Sequence, residues 1–388
     1  MTLTEKFFVE CVKKGIKSQV VEQIPQELEY KKFHKLCTSH SMSVVVYKAL
    51  EKVRTQLNKD FLAILEAYVR RHVALDVQSE YDKEKFLSAL EEKGLKYMPL
   101  KGYYLKKLYP STDMRYASDF DVLIDAKELN KVRELSNNLG LKVMKYDEHH
   151  DVFYNPQTKT IFELHKILFV GRLQKYFGVG FERAHLREGT KAFYELNKED
   201  FYISILAHSA YHFAEDAGVG IRHLTDVYLY KNAYKLDYEY LDRELQKCGL
   251  KKFKDKFELM ADYLFDDSKV DDETLTLVEH VIESSVLANK KMQGASEVAS
   301  NMEEGGAKNA KRKTLWKTLF PPKSHMQFTY PVLKKAGFLL PFFYPIRWVH
   351  VLFTRPKNIK KIKGISEVDK DSLSQMKKIR STLGLDEF

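Results

Sequence analysis

Cysteine is scarce. The 388-residue chain holds three, Cys11, Cys37 and Cys248, widely spaced and odd in number. They cannot build a disulfide framework or a thiolate metal cluster, which points to a reducing compartment. An apolar leader is missing too: MTLTEKFFVECVKKG has no hydrophobic run ahead of a small-residue cleavage site, so a cytoplasmic protein without a secretory signal is expected. There is no internal repeat and no low-complexity tract. The one strongly apolar stretch, GFLLPFFYPIRWVHVLF at 337–353, contains Pro341, Pro345 and Arg347. A membrane-spanning helix wants about 20 apolar residues without such breaks. The expectation is a buried C-terminal segment, with a monotopic surface anchor as the alternative because basic residues flank it. With 44% hydrophobic and 30% charged residues, the composition excludes a disordered, collagenous or membrane-embedded chain. The length fits two or three domains.

The net charge of +10 is unevenly spread. Residues 308–388 hold 18 Lys/Arg against five Asp/Glu, a net +13, so the preceding 307 residues carry −3. The basic character belongs to the tail. It is either a solvated, solubilising surface or a site for an anionic partner or membrane surface. A nucleic-acid substrate is disfavoured, because tracking phosphates needs a basic face near the site.

Hydrophobic periodicity divides the chain into four regions: a helical N-terminal region at 1–94, an α/β core at 95–170, a helical domain at 171–298 and a basic C-terminal segment at 299–388. Residues 61–94 have apolar positions at helical spacing and end at a glycine. Strands are expected at 95–100, 119–124, 141–146, 151–155 and 160–167, with a short helix at 101–110 and an amphipathic one at 126–140. Helices return at 201–215 and 221–235, joined by DAGVG, and more fill 238–295. ASNMEEGGAKNAKRK at 299–313 reads as a linker or long loop.

The segment RYASDFDVLID carries the chemistry. On a strand, Asp119 and Asp121 point the same way, about 7 Å apart along the chain, while Phe120, Val122 and Ile124 point into a core. Two like charges at roughly 5 Å and an effective dielectric near 20 repel by about 3 kcal/mol. A divalent cation converts that repulsion into attraction, and carboxylate oxygens are the hard ligands that Mg²⁺ and Mn²⁺ prefer. Glu163, in TIFELHKIL, is a third carboxylate if its strand neighbours 119–124. Such a triad can hold two Mg²⁺ ions about 3.5–4 Å apart.

Residues 96–125 resemble the core of the uncharacterised nucleotidyltransferases of the DNA polymerase β superfamily. The resemblance rests on Leu100-Lys101-Gly102, Tyr109-Pro110, Arg115, Asp119-Phe120-Asp121 and the later Glu163-Leu164-His165. HSAYHFAEDAGVGIRHLTDVYLY at 208–230 is similar to the family's His-rich helix pair, and LFPPKSHMQFTYP at 319–331 more weakly to its tail. The resemblance implies an α+β fold, with a small mixed sheet set between helical regions. It also implies Asp119, Asp121 and Glu163 as metal ligands, Mg²⁺ or Mn²⁺ as cofactor, and an NTP, ATP first, as donor. The Gly-Ser pair with which many polymerase β-like enzymes grip the triphosphate is replaced here by Lys101-Gly102, which leaves the donor base open.

Roles follow for the remaining residues, some with two readings. Glu163 is also the candidate base toward the acceptor hydroxyl. Gly102 would let backbone N–H groups approach phosphate, or is a turn glycine. Lys101 pairs with phosphate or flanks the turn. Arg115 neutralises triphosphate charge, or pairs structurally with Asp113 or Asp119. Ser118 would donate to phosphate. His208 and His212 share a helix face without the Glu of a zinc-protease motif, so they read as packing residues, with nucleotide or acceptor contact as the rival. Arg222 and Asp226 read as a helix ion pair, and His149-His150-Asp151 as a loop. The expected activity is transfer of NMP from an NTP to an unidentified hydroxyl of a small molecule, sugar or protein, releasing pyrophosphate. The rivals are a silent nucleotide-binding module, and a peripheral membrane or assembly protein that works through its basic tail.

Overall fold

The computed structural model of the chain describes all residues except 118, 284–289, 303–305, 355–361 and 387–388. It divides into two compact units, Met1–His208 with Gly220–Ile282, and Ser209–Val219 with Glu283–Phe388.

The first unit opens with α1 (Leu3–Ile16), α2 (Tyr30–Ser39), α3 (Ser43–Ala49) and the 34-residue α4 (Lys59–Glu92). Helix α4 runs long because no Gly or Pro interrupts it. The Asn58 side chain caps its start, accepting from the Phe61 N–H at 3.0 Å, and Gly94 at φ +63° lets the chain turn away after its end. A five-stranded mixed sheet follows: β1 (Tyr97–Pro99), β2 (Asp119–Ile124), β3 (Lys142–Tyr146), β4 (His150–Tyr154) and β5 (Ile161–His165), in spatial order β1-β2-β5-β4-β3. Strands β2 and β5 are parallel and the other pairs antiparallel. The short α5 (Gly102–Leu105) follows β1, and α6 (Leu129–Asn138) follows β2. The architecture is α+β.

One sheet face is the core. Phe120, Val122 and Ile124 of β2, with Phe162 and Leu164 of β5, pack against Phe86, Leu87 and Leu90 of α4 and Val132 of α6. The Phe162 ring centroid lies 5.0 Å from that of Phe86 and 6.1 Å from that of Phe120. Because strand side chains alternate, this burial sends Asp119, Asp121, Glu163 and His165 to the opposite face. Buried Asp82 of α4 ties the β4–β5 turn to the helix, accepting from Thr160 Oγ1 at 2.7 Å and Asn155 Nδ2 at 3.1 Å.

Of the 149–151 segment read as a loop, His149 lies in one, and Asp151 stands in the strand expected at 151–155, which begins one residue earlier. His150 and Asp151 begin β4, and Asp151 is buried where Arg133 and Lys166 both reach it at 2.7 Å. Two countercharges supply what a half-hydrophobic pattern could not signal.

Beyond the sheet come α7 (Gly171–Phe177), a hairpin of β6 (Ala184–Leu186) and β7 (Tyr194–Leu196), then α8 (Lys198–Asp216), α9 (Ile221–Ala233), α10 (Tyr238–Cys248), α11 (Lys251–Asp266) and α12 (Asp272–Glu283). Cys11, Cys37 and Cys248 are buried free thiols.

In the second unit, α13 (Lys290–Ser300), α14 (Gly306–Leu319), α15 (Lys323–Thr329), α16 (Val332–Lys335), α17 (Leu340–Thr354) and α18 (Lys370–Leu383) follow one another. Val298, Ala310, Ile365 and Leu373 form one small core, and Ala217, Ala295 and Met376 another. Gly294 allows close approach: a Cβ there would lie 2.7 Å from the Gly364 carbonyl. The linker expected at 299–313 is corrected over 306–313, which are the first turns of α14. Ala, Lys, Arg and Leu are strong helix formers, and burying Ala310 and Thr314 suffices to seat the helix. Residues 303–305 lie outside the described residues. The buried segment expected at 337–353 is also corrected. It is helical from Leu340 but leaves Phe338, Phe342, Ile346 and Val349 exposed.

Phe162→Ala should cost about 3–5 kcal/mol, because the cavity opens between two aromatic neighbours. Urea unfolding read by circular dichroism measures it. A cost below about 1 kcal/mol would mean that the core is not built on this ring.

Candidate active site

The β2–β5 register places Asp121 opposite Glu163, and Leu123 opposite His165. In a parallel pair with one buried face, opposed residues share a face, so both carboxylates and the imidazole project together. Asp121, Glu163 and His165 each offer one ligand atom, all within 4.8 Å of one another. Asp119 stands two residues earlier on the same face, exposed, outside that group.

Asp121 is the best held of the three. His165 Nε2 lies 3.0 Å from its Oδ1, and Lys101 Nζ lies 3.3 Å from its Oδ2. Burial alone would raise this carboxyl; the Lys101 ammonium and the His165 ring outweigh it and hold the carboxyl well below the usual range. Glu163 moves the other way. Burial raises it first, then the negative charges of Asp121 and Asp119, against partial relief from His165 and Lys101. His165 Nε2 is 3.7 Å from Glu163 Oε2. On the far side of His165, the His150 ring stacks at 5.5 Å between centroids. Burial and the neighbouring His165 lower the pKa of His150.

Lys101 reaches the site because β1 pairs with β2. The Leu100 N–H donates to the Asp121 carbonyl at 3.0 Å, and the chain turns at once into α5. Its Nζ also lies 2.8 Å from His208 Nε2, and the His208 ring stacks on His223 at 5.7 Å. His212, one turn on, meets Asp216 at 2.7 Å through Nδ1.

Arg115 is buried and bidentate on Asp226 of α9: Nε donates to Oδ1 and Nη2 to Oδ2, both at 2.7 Å. Tyr109 O–H donates to the same carboxylate at 2.9 Å. Of the readings open from sequence, this is the structural one, but with neither expected partner. Asp113 is taken by Lys48 at 2.9 Å. The Arg222–Asp226 helix pair is likewise corrected, since both Asp226 oxygens turn to Arg115. Arg222 instead donates to the Tyr116 carbonyl at 3.3 Å. Burial lowers its pKa, followed by the like charge of Arg115. Arg115 Nη1 faces Gly102, where an added Cβ would come within 3.2 Å of it. Glycine thus leaves room for the guanidinium, which an added Cβ would crowd. Ser118 lies outside the described residues.

From sequence His208 reads as a packing residue with nucleotide or acceptor contact as the rival, and His165 enters only as part of Glu163-Leu164-His165; neither is given its partner in the site. The period-2 pattern of β5 contained the signal for His165: Glu163 and His165 share a face. Nothing local marks His208, which Lys101 meets across 107 residues.

A carboxylate-bearing pair of parallel strands inside an α+β core fits a nucleotidyltransferase, and the chain belongs to that class. The profile of the uncharacterised nucleotidyltransferase family matches residues 26–266, well over half the chain, which makes this protein a member of that family. No curated protein and no solved structure matches it.

Two measurements follow from the geometry. Asp226→Ala leaves a buried guanidinium without its countercharge and should cost about 3–5 kcal/mol in urea unfolding; Arg115→Met/Asp226→Leu should recover part of it. Equal loss in both variants would show that the pair contributes shape and not charge. Glu163→Gln addresses the raised carboxyl. A carboxyl raised by folding binds its proton more tightly in the native state, so ionising it costs stability as pH rises through the folded value. Glu163→Gln should therefore melt above wild type at pH 7 in divalent-free buffer. The gain should vanish below about pH 4.3, the unfolded glutamate pKa. A constant gain across that range would assign it to packing.

Proposed function

We propose that the protein transfers NMP from an NTP, ATP first, to a hydroxyl acceptor on the Asp119–Asp121–Glu163 face of the sheet. The observation that carries this reading is the in-register pairing of Asp121 and Glu163 across parallel strands, with His165 within ligand reach. The residues fit a divalent cation. The like-charge cost written into Glu163 is what a cation removes, and the Lys101 ammonium already stands as a positive charge beside Asp121. Asp119, Asp121 and Glu163 would hold it, Mg²⁺ or Mn²⁺, and it would supply charge neutralisation for the triphosphate and acidification of the acceptor hydroxyl.

The chain's own groups divide the remaining work. Glu163 takes the proton from the acceptor hydroxyl. The acceptor oxygen then forms its bond to the α-phosphorus as the bond to the pyrophosphate oxygen breaks in line, and pyrophosphate departs with the electron pair. Lys101, on a four-carbon stem, swings from Asp121 to the phosphates as the nucleotide arrives. His208 holds the Lys101 amine on the site side of α8. Arg115 is a positioning residue: its tie to Asp226 fixes the 109–115 segment, and its Nη1 adds positive charge beside Gly102, where phosphate would pass. Ser118 is assigned a phosphate hydrogen bond by its place just before β2.

Thermal unfolding with ATP, GTP, CTP and UTP, with and without Mg²⁺, tests the site without knowledge of the acceptor. A nucleotide at 100 times its Kd should stabilise by about 2.7 kcal/mol. Asp119→Ala/Asp121→Ala should abolish the Mg²⁺-dependent part. Asp121→Asn should slow pyrophosphate release by roughly 10²-fold or more, as loss of a group stabilising charge in the transition state does. Binding with no release to any hydroxyl acceptor would favour the silent module. No shift with any nucleotide at millimolar concentration would overturn the reading.

A further inference from the structure

From residue 306 to 354 the chain carries nine Lys/Arg and no Asp or Glu, together with both of its tryptophans, Trp316 and Trp348. The sequence alone leaves this stretch between a buried segment and a surface anchor; the structure supplies an orientation. Helix α17 turns one side inward. The Tyr344 O–H donates to the Pro321 carbonyl at 3.0 Å, Trp348 Nε1 donates to the Leu319 carbonyl at 2.9 Å, and Phe343 meets Tyr330 at 5.1 Å between ring centroids. Its other side, continued backwards by one turn, is Phe338, Pro341, Phe342, Pro345, Ile346 and Val349. Their spacing is i, i+3, i+4, i+7, i+8, i+11, one helix face. All six are exposed, Phe338 at 78%, Phe342 at 69%, Val349 at 55% and Ile346 at 49%. A soluble helix puts polar residues outward, whereas this one exposes an apolar stripe.

The head of the stripe is cationic. A Cβ on Gly337, the residue before Phe338, would lie 3.4 Å from Lys323 Nζ. Lys334 and Lys335 are exposed at the end of α16, a few residues earlier.

We propose that this face docks the protein onto an anionic lipid bilayer, with α17 lying in the plane of the interface. Three observations select lipid over other occupants. The exposed stripe is contiguous, aromatic and aliphatic, as insertion among acyl chains requires, whereas a nucleic-acid reader needs cations along the contact face. Lys323, Lys334 and Lys335 sit at one end of the stripe, and no acid lies within the 49 residues to repel anionic headgroups. The helix is the wrong length to cross: 15 residues at 1.5 Å make about 22 Å, against about 30 Å of hydrocarbon, and no helix among the described residues is long and apolar enough to span. The proposal stands on residues 306–354 alone and is independent of the transfer reaction.

The experiment is co-sedimentation of the full chain with vesicles of phosphatidylcholine, alone or mixed in about equal parts with phosphatidylglycerol. Binding to the phosphatidylglycerol vesicles is expected, weakening as salt rises. Phe342→Glu/Ile346→Glu should reduce it at least about tenfold with an unchanged melting temperature, since both side chains are exposed. Lys323→Gln/Lys334→Gln/Lys335→Gln should remove the preference for phosphatidylglycerol. Brominated lipid should quench wild-type tryptophan fluorescence, a readout that needs no variant. Absence of binding to either vesicle, or binding that both variants leave intact, would overturn the proposal. So would tight nucleic-acid binding in place of vesicle binding, or a dimer in solution that Phe342→Glu/Ile346→Glu converts to monomer while vesicles go unbound.

Discussion

The candidate site depends on the parallel pairing of β2 with β5. Both strands send residues into one core, Phe120, Val122 and Ile124 from the first and Phe162 and Leu164 from the second, while on the other face of β2 Leu123 joins a smaller cluster with Met98 and Leu100. A slip of either strand by one residue would send its apolar residues to the open face and its carboxylate into the core. The hydrophobic core therefore specifies which acids meet. Asp121 and Glu163 are opposed because Phe120 and Phe162, one position back, are opposed as well. The charge arrangement costs energy by itself, and the apolar face holds it in place.

A second constraint joins the sheet to the helices after it. The Arg115–Asp226 pair and the Tyr109 hydroxyl connect the segment entering β2 to α9 across more than a hundred residues. The pair is dry, so its net contribution to stability is small while the cost of breaking it is large. Such a pair acts as a registration pin. It sets where the chain arrives before β2, and hence where Asp119 begins, and it draws Arg115 close enough to Gly102 that a Cβ there would come within 3.2 Å of the guanidinium. Gly102 and Arg115, thirteen residues apart in sequence, are thereby brought side by side.

How much of this was readable in the residues depends on the range of the interaction. Strand β2 was legible because Asp119, Phe120, Asp121 and Val122 alternate, although Leu123 breaks the pattern to join a smaller cluster with Met98 and Leu100 on the other face, and the lone Gly94 marked the stop of a helix free of breakers. The face shared by Asp119, Asp121 and Glu163 followed from the period of two. The partner of Arg115 did not, because Asp226 is distant in sequence and two nearer acids, Asp113 and Asp119, were equally suitable by charge. Asp151 was hidden for the same reason: its countercharges, Arg133 and Lys166, lie on other elements. In the second unit the errors run the other way. Gly305-Gly306 and a run of lysines suggested a linker at 299–313, yet the alanines beside them sufficed for α14. The apolar richness of 337–353 suggested burial, but composition reports how much apolar surface a segment has and not which side of it is covered.

The charges around the sheet give the site an asymmetry that the proposed chemistry can use. Lys101 and His165 both favour Asp121 and leave Glu163 to face its neighbours' negative charge, so one carboxyl is driven down and the other up. Two carboxylates in identical surroundings would compete for one role. Pushed apart, they separate into a permanently ionised group suited to hold a cation and a more basic one suited to receive a proton. The Lys101 ammonium partly offsets the repulsion between Asp121 and its acidic neighbours. A nucleotide that draws Lys101 to its phosphates removes that offset at the moment its own charge needs a cation. In the proposed reaction, nucleotide arrival and cation affinity would be coupled through this one side chain, each strengthening the other.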